Sequence, residues 1–267
     1  MKTIAITGAA SGIGAATRAR LEREGHRVIG IDVQQADVVA DLATREGRRA
    51  AIDQILEQSG GRLDGLIPCA GLSGLPGRAG SLLASLNYFG SIELLEGLRG
   101  ALAASTSGEA AAVGMCSNST TTAPGVSLEL VEACLEGDEE KARAIGDEIG
   151  SIRAYPSTKT ALARWIRRHA PSDEWIGQGI TLNAIAPGKT ETPMVAEGRA
   201  DPILGPHMDA FPVPIGREAQ PEEMASLLCF LLGPEARFFV GSVIFCDGGT
   251  DALTRPDDWP APFVPPS

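Results

Sequence analysis

The sequence predicts an α/β chain: one domain built on a doubly wound parallel sheet with helices on both faces. Two observations carry this. Short apolar runs alternate with longer amphipathic ones along most of the 267 residues, and glycine is abundant (32 residues) while aromatics make up only 4%. Strand and helix by turns mean parallel βαβ units, whose crossovers cover the sheet on both sides. Plentiful glycine suits the many tight strand-to-helix turns of such a fold better than a β-sandwich.

In order, Thr3–Ile6 reads as the first strand and Ala15–Glu24 as its helix, followed by Arg27–Ile31 and then Gly47–Gln58. Gly65–Cys69 is the next strand and Leu82–Ala104 a long helix. Strand Ala111–Cys116 precedes helix Tyr155–His169, and Ile180–Ile185, Pro221–Leu232 and Gly241–Cys246 complete the alternation. The expected domain is 1–250. Two segments depart from the pattern. Residues 125–150 read as a short helical insertion of two pieces, placed just before the Tyr155 helix, and 251–267 as a proline-rich tail unfit for a central strand or helix interior.

A net charge of -11 and a pI near 4.8 would repel nucleic acid and anionic membrane, so neither is expected as a partner. The five cysteines form no CxxC pair and His26, His169 and His207 are scattered, so neither zinc, any other metal nor a disulfide framework is expected. The chain starts on a strand without a leader-like segment, and no stretch reaches the ~18 apolar residues of a membrane span. A cytoplasmic protein is expected.

After the first strand comes Thr7-Gly8-Ala9-Ala10-Ser11-Gly12-Ile13-Gly14, with a helix directly behind it. Glycines permit a tight turn and let backbone N–H groups approach a pyrophosphate, which the positive helix end stabilises. Asp32, at the end of the second strand and 18 residues beyond Gly14, is placed to accept hydrogen bonds from an adenosine ribose. With no basic residue in Val33-Gln34-Gln35 or in the loop, NAD is expected rather than NADP. Asp41, before Leu42, is placed either to meet the adenine amino group or to cap the next helix. This makes the doubly wound sheet a Rossmann-type one.

With this loop spaced T-G-x-x-x-G-x-G and Tyr155-Pro156-Ser157-Thr158-Lys159 downstream, the chain resembles the short-chain dehydrogenase/reductase family from Lys2 to about Gly249. Asn87, Ser117, Asn183, Pro187-Gly188 with Thr190 and Thr192, and Asp247-Gly248-Gly249 stand at further family positions. Several segments, among them Gly30-Ile31-Asp32 and Asn87-Tyr88-Phe89-Gly90, are most similar to the bacterial 3α-hydroxysteroid dehydrogenase/carbonyl reductase subgroup, which also carries the 125–150 insertion. There are departures. The family's Asn-Asn-Ala-Gly is here Pro68-Cys69-Ala70-Gly71, leaving backbone contact with the cofactor at Ala70 and Gly71, and Cys116-Ser117 stands where paired serines are common. Ser117 is the aligned catalytic serine, with Ser119 as the fallback.

The resemblance implies an NAD-dependent oxidoreductase interconverting a secondary alcohol and a ketone, a hydroxysteroid or another hydrophobic alicyclic compound. Such chemistry needs a base for the hydroxyl proton, and a phenol of pKa about 10 is too weak unless something lowers it. Tyr155 and Lys159 lie four apart on one face of the predicted helix. An ammonium ~5 Å from the phenolate, at an effective dielectric of ~20, favours it by about 3 kcal/mol, roughly two pKa units.

The resemblance also implies that Lys159 holds the nicotinamide ribose, that Ser117 binds the substrate oxygen, and that Asn87 positions a water for proton relay. Thr190 or Thr192 meets the carboxamide, while Ile185, Pro187 and Gly188 shape the nicotinamide pocket. Residues 189–215, with five prolines and Met194, suit either an apolar lid or an ordinary packed loop, and Ser73 and Ser119 are candidates for the same substrate pocket. The resemblance implies a homo-oligomer, commonly a dimer or tetramer; the insertion precedes a helix that often forms an interface and would block or replace that contact, and a dimer is expected. A non-catalytic NAD-sensing protein and a relative with a non-redox net reaction are the competing readings.

Overall fold

All six strands expected from the apolar runs form and pair in parallel. They are β1 (Thr3–Thr7), β2 (Arg27–Asp32), β4 (Gly65–Pro68), β5 (Ala111–Met115), β6 (Thr181–Pro187) and β7 (Val243–Cys246). A two-residue strand too short to read from sequence, β3 (Val38–Val39), is added beside β2, giving the order β3-β2-β1-β4-β5-β6-β7. Strand order reverses between β1 and β4, so a crevice opens beyond their carboxyl ends. The computed structural model describes residues 1–262; the rest of the proline-rich tail, 263–267, lies outside the described residues.

One face of the sheet is covered by α1 (Gly12–Arg23) and α11 (Pro221–Leu231), which close over Ile4, Ile6, Ile67 and Val113. The other is covered by α2 (Arg45–Ser59), α4 (Gly90–Ala103) and α8 (Ser151–His169), with Leu94, Leu98, Leu162 and Trp165 in the core. α1 starts three residues before its expected start at Ala15, inside the glycine loop itself. The long helix expected at Leu82–Ala104 is three pieces: α3 (Gly80–Leu83), a π-helical turn (Ala84–Phe89) and α4. Asn87 sits in the π turn, a distortion that recurs at functional sites.

After β5 come a single turn, α5 (Ser119–Thr122), and the two expected insertion helices, α6 (Leu128–Leu135) and α7 (Glu139–Ile149). α6 sends Leu130, Val131, Ala133 and Cys134 into the core, and α7 adds Ala142 and Ile145. α3 and α7 meet backbone to backbone: a Cβ on Gly80 would lie 1.8 Å from the Gly146 carbonyl oxygen. The insertion is clamped by charge as well. Arg48 of α2, fully buried, donates to Glu139 of α7 at 2.7 Å and to Glu93 of α4 at 2.7 Å. Its remaining N–H groups reach the Leu42 and Ser85 carbonyls, both at 3.4 Å.

Segment 189–215 is largely helical, with α9 (Pro193–Ala200) and α10 (Leu204–Ala210). The tail begins as a helix, α12 (Thr250–Thr254), packed beside α5.

Candidate active site

A single cleft over the carboxyl ends of β1, β4, β5 and β6 gathers most of the expected residues. Gly8, Ser11, Gly12, Ile13 and Gly14 line one end of it. Gly8 and Gly12 have φ of +67° and +51°, the left-handed region where side chains are strained, and a Cβ on Gly14 would sit 2.1 Å from the Gly8 oxygen. Ser11 gives α1 no side-chain cap, so first-turn N–H groups remain for a ligand at the positive end of the helix. This tight, uncapped cradle fits an anionic pyrophosphate.

Asp32 ends β2 beside the cradle, its carboxylate accepting from the Ala10 N–H at 3.0 Å and the Val33 N–H at 2.7 Å. Arg18, one turn into α1, is paired with Glu22 at 2.8 Å and Asp37 at 3.1 Å. Of the two placements open for Asp41, capping of α2 is taken by Thr44, whose hydroxyl accepts from the Gly47 N–H at 3.0 Å. Asp41 instead accepts from the Ala43 N–H at 2.9 Å in an exposed turn. The Leu42 side chain is buried in the core, and its carbonyl accepts from Arg48 at 3.4 Å. Asp32, Asp41 and Leu42 are not in the cleft wall.

Ser117, Tyr155 and Lys159 line the floor. The Ser117 hydroxyl accepts the Ser119 N–H at 3.1 Å. The Lys159 ammonium donates to the Met115 carbonyl at 2.8 Å. Burial pushes the Tyr155 phenol up from its usual pKa, the nearby Ser117 hydroxyl pulls it back, and the neighbouring Cys116 thiol adds to the rise. Burial pulls the Lys159 ammonium down, against Cys116 and Cys69. Desolvation therefore opposes ionisation of both groups, more strongly than the sequence-based sum of tyrosine and lysine alone allowed.

Asn87 is fully buried and does not line the cleft. Its side chain accepts the Leu72 N–H and donates to the Leu72 carbonyl, both at 2.9 Å, which uses both ends of the amide to hold the chain leaving β4. Ala70 and Gly71, in that same segment, line the cleft. The Ala70 N–H donates to the Thr7 hydroxyl at 2.9 Å, joining the two strand ends at the switch point.

Pro187, Gly188, Thr190 and Thr192 form the far wall, and Met194 closes over it from α9. Ile185 lies buried in β6 just before this wall. Thr190 donates to the Gly188 carbonyl at 3.1 Å, while Thr192 caps α9 by accepting from the Val195 N–H at 3.3 Å. Ser73 and Ser119 are not in the wall. The Ser73 carbonyl and hydroxyl both accept from Arg78, at 2.6 and 3.3 Å. The Ser119 hydroxyl is buried without a partner among the described residues, and its backbone serves Ser117.

The wall also contains residues that motif reading passed over: Cys69, Met115, Cys116, Pro193 and Val195. Cys69 and Cys116 occupy strand ends, a position the parallel-sheet rule marks as ligand-facing whatever the residue type. Burial pushes both thiols up to about 12, so they are neutral wall atoms at ordinary pH. Among the described residues no group of histidine, cysteine and carboxylate side chains could hold a metal ion, and no helix is long and apolar enough to cross a membrane.

Residues 2–123 match the short chain dehydrogenase family model, and residues 144–251 match the enoyl-(acyl carrier protein) reductase model. The chain is 42% identical over 260 residues to a 3-alpha-hydroxysteroid dehydrogenase/carbonyl reductase of Comamonas testosteroni, covering 96% of this chain and 99% of that one. It is 30% identical to a coniferyl-alcohol dehydrogenase of Pseudomonas sp., over 93% and 96% of the two chains. The crystal structure of the 3-alpha-hydroxysteroid dehydrogenase from Pseudomonas sp. B-0831 complexed with NADH superposes with a TM-score of 0.91 at 44% identity, covering 96% of this chain and 100% of that one.

Proposed function

The chain belongs to the short-chain dehydrogenase family, and on that premise we propose that it is an NAD(H)-dependent oxidoreductase that interconverts a secondary alcohol and a ketone. Its substrate is a small hydrophobic alcohol or ketone, a hydroxysteroid or a similar alicyclic compound. The observation that carries the reading is that Ser117, Tyr155 and Lys159 line the floor of the same cleft whose other end is the glycine cradle. The apolar side chains of Met194 and Val195 over that floor support a hydrophobic substrate.

The cradle holds the pyrophosphate through the backbone of residues Gly8 to Gly14, and Asp32 holds the adenosine ribose. NAD is favoured over NADP because the Asp32 carboxylate would repel a 2′-phosphate, while Arg18 is already paired with Glu22 and Asp37. Bound NAD supplies the acceptor for the hydride of the alcohol carbon, the donor in the reverse direction, and a positive charge in its oxidised form.

Tyr155 takes the alcohol proton at its phenolic oxygen during oxidation and returns it during reduction. Ser117 donates to the substrate oxygen, its own oxygen being oriented by the Ser119 N–H. Lys159, with one N–H on Met115, keeps two for the nicotinamide ribose and adds positive charge near the phenol. Asn87 enters a proton relay through its main chain only, since its side chain is committed to Leu72. Thr190 and Thr192 face the carboxamide. Domain 1–250 thus carries cofactor and chemistry together, with 189–215 as the lid.

A homodimer is the proposed assembly. α6 and α7 already bury one side of α8, whereas α11 and the segment leading to β7 leave Phe230, Phe238 and Phe239 exposed, Phe238 completely. A second copy would cover that apolar patch. The five cysteines are all free thiols, which supports a reducing, cytoplasmic setting.

Following NADH formation over a panel of hydroxysteroids and cyclic secondary alcohols tests the function. Turnover of a member supports it. Tight NADH binding with no turnover of any alcohol or ketone supports the sensing or non-redox alternatives instead. Light scattering at assay concentration tests the dimer, and a monomer there refutes it.

A further inference from the structure

The segment that carries Ser117 is held in place by the C-terminal end of the chain. α5 begins two residues after Ser117, and its first N–H, from Ser119, is the one that orients the Ser117 hydroxyl. So short a turn has little stability of its own, since one helical turn fixes several residues for few hydrogen bonds. Besides the Asn118 N–H, which donates to the Pro187 carbonyl at 3.0 Å, it has side-chain anchors on two carboxylates beyond β7. Asn118 donates to Asp247 at 3.4 Å, and Thr121 donates to Asp251 at 2.5 Å. The Thr121 hydroxyl has one proton and a second acceptor in reach, the Asn118 carbonyl at 3.1 Å; the nearer, charged acceptor is the stronger one.

Asp251 is itself fixed. Arg255 donates to both its oxygens, at 2.5 and 3.3 Å, and lies over the Phe245 ring at 5.8 Å, while the Asp251 N–H donates to Asp247 at 2.7 Å. The Asp251 and Arg255 side chains are 14% and 17% exposed, so this pair is largely shielded from solvent competition. The same turn touches the other parts of the site. Thr250 donates to the Pro212 carbonyl at 3.0 Å and the Ile215 N–H reaches the Gly248 carbonyl at 3.1 Å, both at the end of the lid segment. A Cβ on Gly188 would lie 2.6 Å from the Asp247 Cα, so the nicotinamide side of the cleft rests on this turn too.

We propose that Asp251 is a positioning residue for the reaction: through Thr121 it holds α5, and through α5 the Ser119 N–H that aims the Ser117 hydroxyl. The proposal rests on the reading of Ser117 as the group that binds the substrate oxygen. Asp251 touches neither substrate nor cofactor, and it acts on the chemical step rather than on binding at the glycine cradle.

The experiment compares full-length Asp251→Ala, Asp251→Asn, Thr121→Val and the Asp251→Ala/Thr121→Val double variant with the parent protein. Three quantities are read: NADH affinity by fluorescence, oxidation of a 3α-hydroxysteroid with NAD, and amide hydrogen exchange across 117–122. Displacement of an oriented group is costly, so kcat should fall about tenfold in Asp251→Ala and in Thr121→Val. NADH affinity should stay within about twofold, and the double variant should be no slower than about either single one, because both break the same link. Asp251→Asn keeps an oxygen for Thr121 and should recover most of the rate. Exchange across 117–122 should speed up in both single variants.

Parent-like kcat with unchanged exchange in Asp251→Ala overturns the proposal. So does a fall in NADH affinity that parallels the fall in kcat, which marks a general structural role. Should the parent protein oxidise no alcohol at all, the reading of the site fails by itself, and the exchange measurement still decides whether Asp251 anchors the Ser117 segment.

Discussion

The Lys159 ammonium donates to the Met115 carbonyl at 2.8 Å, which ties the lysine to the end of β5 on the floor of the cleft. With Tyr155 pushed up by burial, alcohol oxidation needs the phenol ionised and slows as pH falls, whereas ketone reduction needs it protonated and slows as pH rises. Removing the lysine charge in Lys159→Met should move both limbs to higher pH, by about one to two units. Profiles of kcat/KM against pH in the two directions check this. Limbs that stay in place would remove Lys159 from the ionisation of Tyr155.

In the proposed reading, Asp32 at the end of β2 sets cofactor choice. Its loss in Asp32→Ala removes charged hydrogen bonds worth about 1.5–3 kcal/mol each, so the KM for NAD should rise roughly ten- to a hundredfold. NADP, no longer repelled, should improve in relative terms. Kinetics with both cofactors measure the change, and an unaltered NAD/NADP ratio would place the ribose elsewhere.

Gly14 packs against the Gly8 carbonyl so closely that a Cβ there would lie 2.1 Å from its oxygen. Gly14→Ala must open the loop and should weaken NADH binding about tenfold or more while lowering Tm, since tight core contacts of this kind cost about 1–3 kcal/mol to overpack. Fluorescence titration and thermal unfolding read the two effects separately. Unchanged NADH affinity would mean that the loop does not cradle the cofactor.

Glu139 gives the fold an acid-sensitive joint. Burial alone would raise its pKa, but the bonds from Arg48 and Arg45 outweigh burial and hold it below the usual carboxylate range. A depressed pKa means stability that is full above the unfolded-state value, near 4.5, and is lost as pH falls through the lower folded value. Glu139→Leu leaves Arg48 buried without its main partner and should cost about 3–5 kcal/mol at neutral pH. That cost should shrink as pH falls through the folded-state pKa. Urea unfolding of both proteins at several pH values checks the sign; a cost independent of pH would assign it to packing.

Features written locally in the chain were the legible ones. The glycine loop, Asp32 and the Tyr155/Lys159 pair lie on elements defined by their own periodicity, and cleft and switch point follow from strand order. Distant pairings were opaque. Arg48 and Glu139 are 91 residues apart, Asn118 and Asp247 are 129 apart, and nothing in either neighbourhood announces the other. Asn87 is marked by its motif, but the commitment of its side chain to Leu72 depends on a π turn that local sequence does not mark. Asp41 was open between two roles until Thr44 was seen to cap α2. Ser73 follows β4 but is not in the cleft wall, and its carbonyl and hydroxyl accept from Arg78, five residues on.

The central claim is that Tyr155 moves the proton, and Tyr155→Phe tests it most directly. The substitution removes one oxygen and leaves the packing of α8. NADH should bind with near-parental affinity while alcohol oxidation and ketone reduction fall by about 10²–10⁴-fold, the usual contribution of a general acid–base group. Turnover at the parental rate would contradict the account.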